Sequence, residues 1–233
     1  MKVHYDIEQG TLEWHEMRWG KIGGTRGGGL LVESDTLLDE VLSELTEDYQ
    51  DDGSFQSKDM MRGHELEPIA RYHVNEYLGQ DLLECGWIDS SIHRVGISPD
   101  GITKDETIQA EIKCFAIKKH TTTVRAGVIP PEHIRQCLHY FLVNPKLERL
   151  IFCSFRPEHK YQPVFIRELT RSSMVDVGIK EKVDIEEDRG LGLKSYVNTI
   201  PKVRSVEYWV DQVMIAALKL NKELDAELEK MKF

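Results

Sequence analysis

The sequence of 233 residues lacks several features that mark common classes of protein. It has no run of about 18 apolar residues, so we expect no membrane-spanning helix, and its N-terminus has no apolar segment typical of secretory signals. Its four cysteines show no C-x-x-C spacing. That pattern argues against a zinc ribbon, a disulfide framework or an iron–sulfur cluster, and it favours a reducing cytoplasm.

The sequence also lacks an internal repeat and a Pro/Gly/Ser-rich linker, which predicts a single domain spanning residues 1–233. The net charge of −10 by itself disfavours a nucleic-acid binder. Acidic residues are concentrated in 33–53, in 180–190 and at the C-terminal end, a pattern typical of solvated helix faces and loops. The segments poor in acidic residues carry basic side chains that could line a positive groove: Arg18, Lys21, Arg26, Lys113, Lys118, Lys119 and Arg125.

Hydrophobic periodicity predicts the following elements. Helices are predicted over 11–19, 35–49, 58–79, 131–143 and 204–231, a glycine-rich loop over 20–29, strands within 81–90, 93–102 and 107–115, and a two-stranded hairpin from 148–157 and 161–169. This order of elements predicts an α/β fold in which helices flank a mixed central β-sheet.

The segment "GISPDGITKDETIQAEIKCF" holds three charged residues beside apolar residues that read as strand. In a strand, residues two apart face the same side, so Glu111 and Lys113 point together and Ile112 faces the core. Pro99 suits a strand break, which would place Asp100 near Glu111. Two carboxylates beside a lysine suit Mg²⁺-assisted phosphodiester hydrolysis. The alternative is an exposed strand face that carries an ordinary salt bridge.

Two helical segments could add polar groups to this cluster. Glu67 lies one turn before Arg71 and could supply a third carboxylate, or the two could form a surface ion pair. Because proline is costly inside a helix, Pro68 predicts that the helix starts or bends there, with Glu67 at its N-terminus. Gln136 is polar on a helix with an apolar side, and its alternative is an ordinary surface glutamine.

A third feature is the glycine-rich loop "GKIGGTRGGG", which follows Arg18. A loop of this composition can bring backbone N–H groups close to a phosphate. Such a loop is weak evidence when taken alone.

These pieces, in this order, resemble the YqaJ/lambda-type phage exonucleases of the PD-(D/E)xK nuclease superfamily, which share a restriction-endonuclease-like core. The matching segments are "EWHEMRWGKIGGT", "RGHELEPIAR", "GISPDGI", "AEIKC" and "HIRQCLHYFLV", with a weaker match over 150–169. The resemblance implies a Mg²⁺-dependent exodeoxyribonuclease, with Mn²⁺ as a possible substitute. Such an enzyme degrades the 5′-ended strand of linear double-stranded DNA.

The resemblance also implies roles for single residues. Asp100 and Glu111 would be the metal ligands and Lys113 the catalytic lysine. Glu67 would help to place metal and water; Glu65 competes for this role, but Glu67 is preferred because it directly precedes Pro68 and keeps the spacing to "AR". Gln136 would be an active-site contact.

Three further positions fall where the family binds a terminal 5′-phosphate. These are Arg18, Thr25 and Ser98, among which Thr25 departs most from the family pattern. The family further implies a ring-shaped homotrimer and a single-strand annealing protein as partner, in a phage or prophage protein of the bacterial cytoplasm. Two alternatives stay open: a structure-specific or Cas4-like nuclease of the same superfamily, and an inactive DNA-end binding module.

Overall fold

The computed structural model describes residues 1–32, 35–50, 57–188 and 193–232. The helices of these ranges are α1 (Leu12–Arg18), α2 (Gly24–Gly27), α3 (Asp35–Thr46), α4 (Lys58–Leu78), α5 (Ile117–Ala126), α6 (Pro131–Val143) and α7 (Val206–Met231). The strands are β1 (Lys2–His4), β2 (Trp87–Asp89), β3 (Gly96–Ile97), β4 (Gly101–Ile102), β5 (Ile108–Lys113), β6 (Arg149–Phe155), β7 (Val164–Leu169), β8 (Met174–Asp188) and β9 (Leu193–Ser205). None of the described helices combines the length and apolar character needed to cross a membrane.

The central sheet is mixed, as the sequence predicts. Its order is β4-β5-β6-β7, with β5 and β6 parallel and the other two pairs antiparallel. A parallel pair needs a long crossover, and here the chain makes it through α5 and α6. β1, β2 and β3 form a smaller antiparallel sheet, and β8 pairs with β9 in a long hairpin.

Both faces of β5 are covered by helices. The side chains that share one face with α4 form a buried cluster: Ala70, Val74, Ile108, Ala110, Ile112, Ile151 and Cys153. On the opposite face Glu111 contacts Tyr140 of α6. This placement confirms the alternation predicted for Glu111 and Ile112, and it buries a carboxylate inside the fold.

Helix α4 corrects one prediction. It starts at Lys58, where the Ser57 hydroxyl accepts the Met60 N–H at 3.2 Å, and it continues through Pro68 to Leu78. Glu67 is therefore in the helix interior and not at an N-terminus. Packing of the next turns against the central sheet offsets the local cost of proline, about 3 kcal/mol.

Three local predictions were also wrong or incomplete. The acidic segment 180–190 is part of strand β8 up to Asp188, and residues 189 and 190 lie outside the described residues. Helix α5 was not predicted, because its β-branched run Thr121–Val124 has low helix propensity. The glycine-rich segment includes a short helical turn, α2.

A buried histidine ties α6 to the smaller sheet. His139 is fully buried, with Nε2 3.0 Å from the Ile22 carbonyl oxygen and 3.2 Å from that of Gly96. Carbonyls only accept, so Nε2 carries the hydrogen, while Nδ1 is buried without a partner. Burial lowers the pKa of His139 to about 4.

This histidine predicts a loss of stability in weak acid. Between the unfolded pKa of about 6.5 and the folded pKa of about 4, the unfolded chain binds more protons, so stability falls as the pH falls through this window. From pH 7.5 to 5 the contribution amounts to about 2 kcal/mol of unfolding free energy. Urea unfolding at both pH values measures it, and an NMR titration of the imidazole resonances assigns it. A His139 resonance that titrates near pH 6.5 would contradict the prediction.

Candidate active site

Asp100 is held against β5 at the break between β3 and β4. Its backbone N–H donates to the Ala110 carbonyl at 3.1 Å, and its Oδ2 accepts the Ile112 N–H at 2.5 Å. Pro99, which has no N–H to donate, occupies the break as the sequence predicts. The carboxylate of Asp100 is thereby fixed beside Glu111.

Glu111 and Lys113 lie on the same face of β5. Glu111 is 1% exposed; its Oε2 accepts the hydroxyl of Tyr140, and its Oε1 forms an ion pair with Lys113 Nζ. That Oε1 is buried, and Lys113 is the side chain that compensates its charge. Lys113 keeps 28% of its side chain exposed, so its ammonium can reach a group that enters from outside.

Glu67 approaches the cluster from α4. It is partly buried, and Arg71 Nη2 lies 3.8 Å from its Oε1. Burial raises the pKa of Glu67, with Arg71 opposing and Glu111 adding to the effect. The competing Glu65 is exposed. The geometry therefore places Glu67, and not Glu65, beside the other carboxylates.

The electrostatics of the cluster leave room for a cation. Burial, followed by the charges of Glu111 and Glu67, raises the pKa of Asp100 well above its ordinary value. Burial alone would lower the pKa of Lys113, but Glu111 and Asp100 outweigh it and raise that pKa. Asp100 and Glu111 thus share Lys113, while Glu67 has Arg71 nearby, and a further positive charge would relieve the repulsion among the three carboxylates.

The donor set fits a hard divalent cation. Within the described residues no three His, Cys, Asp or Glu side chains converge into a complete metal cage. Mg²⁺ does not require one, because it is usually held by one or two carboxylates and takes its other ligands from water and phosphate. Asp100 and Glu111 would hold the ion, with Glu67 beside them.

A cleft of about 460 Å³ opens beside this cluster. Asp100 and Glu67 line it together with His64, Arg71, Glu84 and the segment 5–9. Gln136 is not part of this lining; its Cγ is 3.5 Å from the position a side chain on Gly24 would take. The structure thus places Gln136 against α2 and next to the phosphate-binding candidates.

A second pocket of about 360 Å³ contains two of those candidates. We call it the Arg18 pocket; it is lined by His15, Arg18, Trp19, Lys21, Gly23, Thr25, Arg26, Glu44 and Tyr49. Arg26 is paired with Glu44, whereas Arg18 has no carboxylate partner among the described residues. Burial, then Arg26, lowers the pKa of Arg18 to about 10 while Glu44 opposes them. Because burial disfavours the charged form of Arg18, a bound anion would stabilise that form.

Ser98 does not line the Arg18 pocket but is connected to it through Trp14. The Trp14 indole N–H lies 2.9 Å from Ser98 Oγ and 2.9 Å from the Gly86 carbonyl oxygen. The Arg18 guanidinium stacks over the same indole at 3.9 Å. Trp14 therefore fixes both candidates and escaped the sequence analysis, although it lies in the matched segment "EWHEMR".

Tyr140 is the second residue that the sequence analysis missed. It is fully buried and donates to Glu111. A signal was present in the sequence, because Tyr140 follows Gln136 by four residues and so lies on the same side of α6.

The comparisons with known proteins concern the family and the fold. A model of the YqaJ-like viral recombinase domain matches residues 13–146. The alkaline exonuclease LHK-Exo from Laribacter hongkongensis shares 24% identity and a TM-score of 0.66 over 95% of this chain and 96% of that one. A structure of LHK-Exo in complex with dAMP gives the same identity of 24% and the same TM-score of 0.66, again over 95% of this chain and 96% of that one.

A phage-related exonuclease from Haemophilus somnus 129PT aligns at 13% identity with a TM-score of 0.37, over 98% of this chain and 96% of that one. No curated protein matches the sequence. The likeness to LHK-Exo shows a shared fold, which bears out the restriction-endonuclease-like core implied by the motifs.

Proposed function

The chain belongs to the YqaJ-like viral recombinase family, and we propose that it is a Mg²⁺-dependent exodeoxyribonuclease that degrades the 5′-ended strand of linear duplex DNA. The observation that carries the proposal is the convergence of Asp100, Glu111 and Lys113 at the end of β5, with Glu67 beside them. Family membership and the fold shared with an alkaline exonuclease support a DNA exonuclease.

Each residue of the cluster has a defined task in this reaction. Asp100 and Glu111 would hold the cation, and the Tyr140 hydroxyl and the Ile112 N–H keep the two carboxylates in place. A bound Mg²⁺ would neutralise phosphoryl oxygens and polarise the attacking water. Lys113 is protonated, since its neighbours raise its pKa, and its ammonium can stabilise negative charge that develops on the scissile phosphate.

The Arg18 pocket would bind the terminal 5′-phosphate and so set the direction of degradation. Arg18 supplies a charged fork for phosphate oxygens, and Thr25 lines the same pocket. The Ser98 hydroxyl, which is held by Trp14, would add a further contact to the terminal phosphate on the side of the pocket toward Asp100. A chain end that carries a phosphate would be seated while the adjacent phosphodiester reaches the carboxylate cluster.

A test of direction uses linear duplexes labelled at the 5′ or the 3′ end, with and without a 5′-phosphate, in Mg²⁺ and then in EDTA. We expect Mg²⁺-dependent loss of the 5′-ended strand, faster with the phosphate. Arg18→Ala should slow cleavage of phosphorylated ends at least about tenfold and cleavage of hydroxyl ends little, because a charge-assisted contact is lost only from the former.

The hydroxyl-ended duplex is the matched control within this experiment. Equal loss on both substrates would contradict the phosphate pocket. Degradation of the 3′-ended strand would contradict the direction, and nicking of covalently closed plasmid would favour the structure-specific endonuclease.

We also propose the homotrimeric ring and the annealing partner that the family implies. In a ring, the acidic net charge of −10 could face outward while basic residues line the channel. Sedimentation equilibrium should then give about three times the chain mass of 26.9 kDa. A monomer at micromolar concentration would contradict the ring. Action in the cytoplasm of a bacterial host, as a phage or prophage protein, is part of the same proposal.

A further inference from the structure

An acid-free stretch of sequence follows the candidate active site along the chain, and the acidic residues nearest to it in space are themselves paired, Glu132 with Lys119 and Glu158 with Arg156. No Asp or Glu occurs between Glu111 and Glu132, although the whole chain has 40 acidic and 30 basic residues. Within this stretch α5 exposes Lys118, Thr122 and Arg125, which are spaced at four and three residues and so share one face of the helix. Neither Lys118 nor Arg125 has a carboxylate partner among the described residues. The face is therefore a row of uncompensated hydrogen-bond donors.

The loop between β6 and β7, residues 156–163, lies next to α5 and carries an exposed aromatic ring. Tyr161 is 92% exposed, the largest exposed fraction among the large hydrophobic side chains of the described residues. The neighbouring Lys160 is also exposed and has no carboxylate partner in the described part of the chain. Because both side chains are exposed, neither Tyr161 nor Lys160 is needed to fill the core, and both are available to a binding partner.

Hydrogen bonds from α5 and within the loop hold this loop in place. Buried His120 of α5 contacts the Gln162 carbonyl oxygen through Nε2 and the Ser154 hydroxyl through Nδ1, each at 2.8 Å. Within the loop, the Arg156 N–H donates to the Pro163 carbonyl at 2.8 Å, and the Gln162 N–H donates to His159 Nδ1 at 3.1 Å. Tyr161 is thus presented on a preorganised support, so binding through its ring costs little ordering entropy.

The sheet register places this surface at the active-site end of the fold. In the parallel pair β5–β6, Lys113 lies opposite Ser154, and neighbouring strands are about 4.8 Å apart. Both the loop and α5 begin within a few residues of that pair, beyond the carboxyl ends of the two strands. A DNA strand that leaves the carboxylate cluster in this direction would meet the loop and α5.

From these observations we propose that the Tyr161 loop and the exposed face of α5 form a binding surface for single-stranded DNA, an inference that rests on the proposed function. Unpaired bases can stack on an exposed aromatic ring, whereas the bases of an intact duplex are covered by their neighbours. Lys118, Arg125 and Lys160 would contact the phosphates, and the Thr122 hydroxyl could add a hydrogen bond. The occupant is a strand that has separated from its complement next to the site of cleavage.

The test measures binding without cleavage. Fluorescence anisotropy of a labelled oligothymidylate in EDTA gives the affinity of the full chain. Tyr161→Ala should weaken binding at least about fivefold and Tyr161→Phe should restore it, since stacking needs the ring and not the hydroxyl. Arg125→Ala should lower the slope of log affinity against log salt by about 0.7. Tyr77→Ala, which removes another half-exposed tyrosine, is the matched control.

Three outcomes would overturn the proposal: no binding by the wild type, an unchanged affinity of Tyr161→Ala, or an equal loss on blunt duplex of the same length. If the second occurs, a protein partner becomes the better candidate for this surface. A failure of this proposal is distinguishable from a failure of the nuclease assignment, because Mg²⁺-dependent cleavage is assayed separately. A protein that cleaves normally but fails these binding tests retains the proposed function and loses only this surface.

Discussion

Replacement of Lys113 with alanine should abolish DNA cleavage while DNA-end binding persists. The ammonium is the only positive charge that forms an ion pair with Glu111 in the described residues, and 28% of the Lys113 side chain is exposed. Removal of one group that stabilises transition-state charge costs about 10²–10³-fold in rate. We therefore expect at least a 100-fold lower rate of Mg²⁺-dependent cleavage, with the affinity for duplex ends changed by less than about threefold.

Lys222→Ala is the matched control, because Lys222 is exposed on α7, away from the carboxylate cluster, and we expect it to cleave like the wild type. Thermal unfolding of both variants should accompany the assays, since Lys113→Ala leaves the buried Glu111 without its ion pair. A folded Lys113→Ala protein with more than a tenth of the wild-type rate would exclude a catalytic role. If the wild type itself shows no metal-dependent activity, the inactive end-binding module becomes the better interpretation.

Replacement of Asp100 with asparagine should remove both cleavage and metal binding without loss of folding. Asparagine keeps an oxygen that can accept the Ile112 N–H, so the loop stays attached to β5. It also removes one of three mutually repelling carboxylates, and in EDTA the variant should unfold at or above the wild-type temperature. The rate of cleavage should fall at least about 100-fold, because a ligand of the cation is lost.

Metal binding is read directly from thermal unfolding with and without Mg²⁺. Saturation at 100 times the dissociation constant stabilises a folded protein by about 2.7 kcal/mol, which corresponds to roughly 5–10 °C for a chain of this size. We expect that increase for the wild type and for Glu65→Gln, an exposed carboxylate on the same helix as Glu67. An Asp100→Asn protein that keeps the Mg²⁺-dependent increase would place the cation elsewhere.

Several parts of the fold were predictable because their signals are local. The alternation of "AEIKC" assigned Glu111 and Lys113 to one face of a strand. Pro131 together with the spacing of the apolar residues predicted the first and last residues of α6. The hairpin of β6 and β7 and the long helix α7 followed from the same periodicities. The single-domain assignment over 1–233 stays a prediction.

Other parts depended on contacts between distant segments. The strand state of β8 comes from its pairing with β9, since its own acidic sequence favours solvated structure. Proline inside α4 was misjudged because the cost of Pro68 is local, whereas the packing that offsets it comes from the central sheet. Propensity is a weak prior that tertiary contacts override.

The sequence alone determined which residue types are available for phosphodiester chemistry and which of them share a strand or helix face, because the periods of 2 and 3.6 residues follow from backbone geometry. The preference for Glu67 over Glu65 also came from the sequence, and the structure places Glu67 beside Asp100. Only the tertiary structure decided that Tyr140 holds Glu111 and that Trp14 joins Arg18 to Ser98. Those contacts are set by how helices pack on the sheet; spacing along a helix shows which residues share a side, as for Gln136 and Tyr140, but not which group they meet.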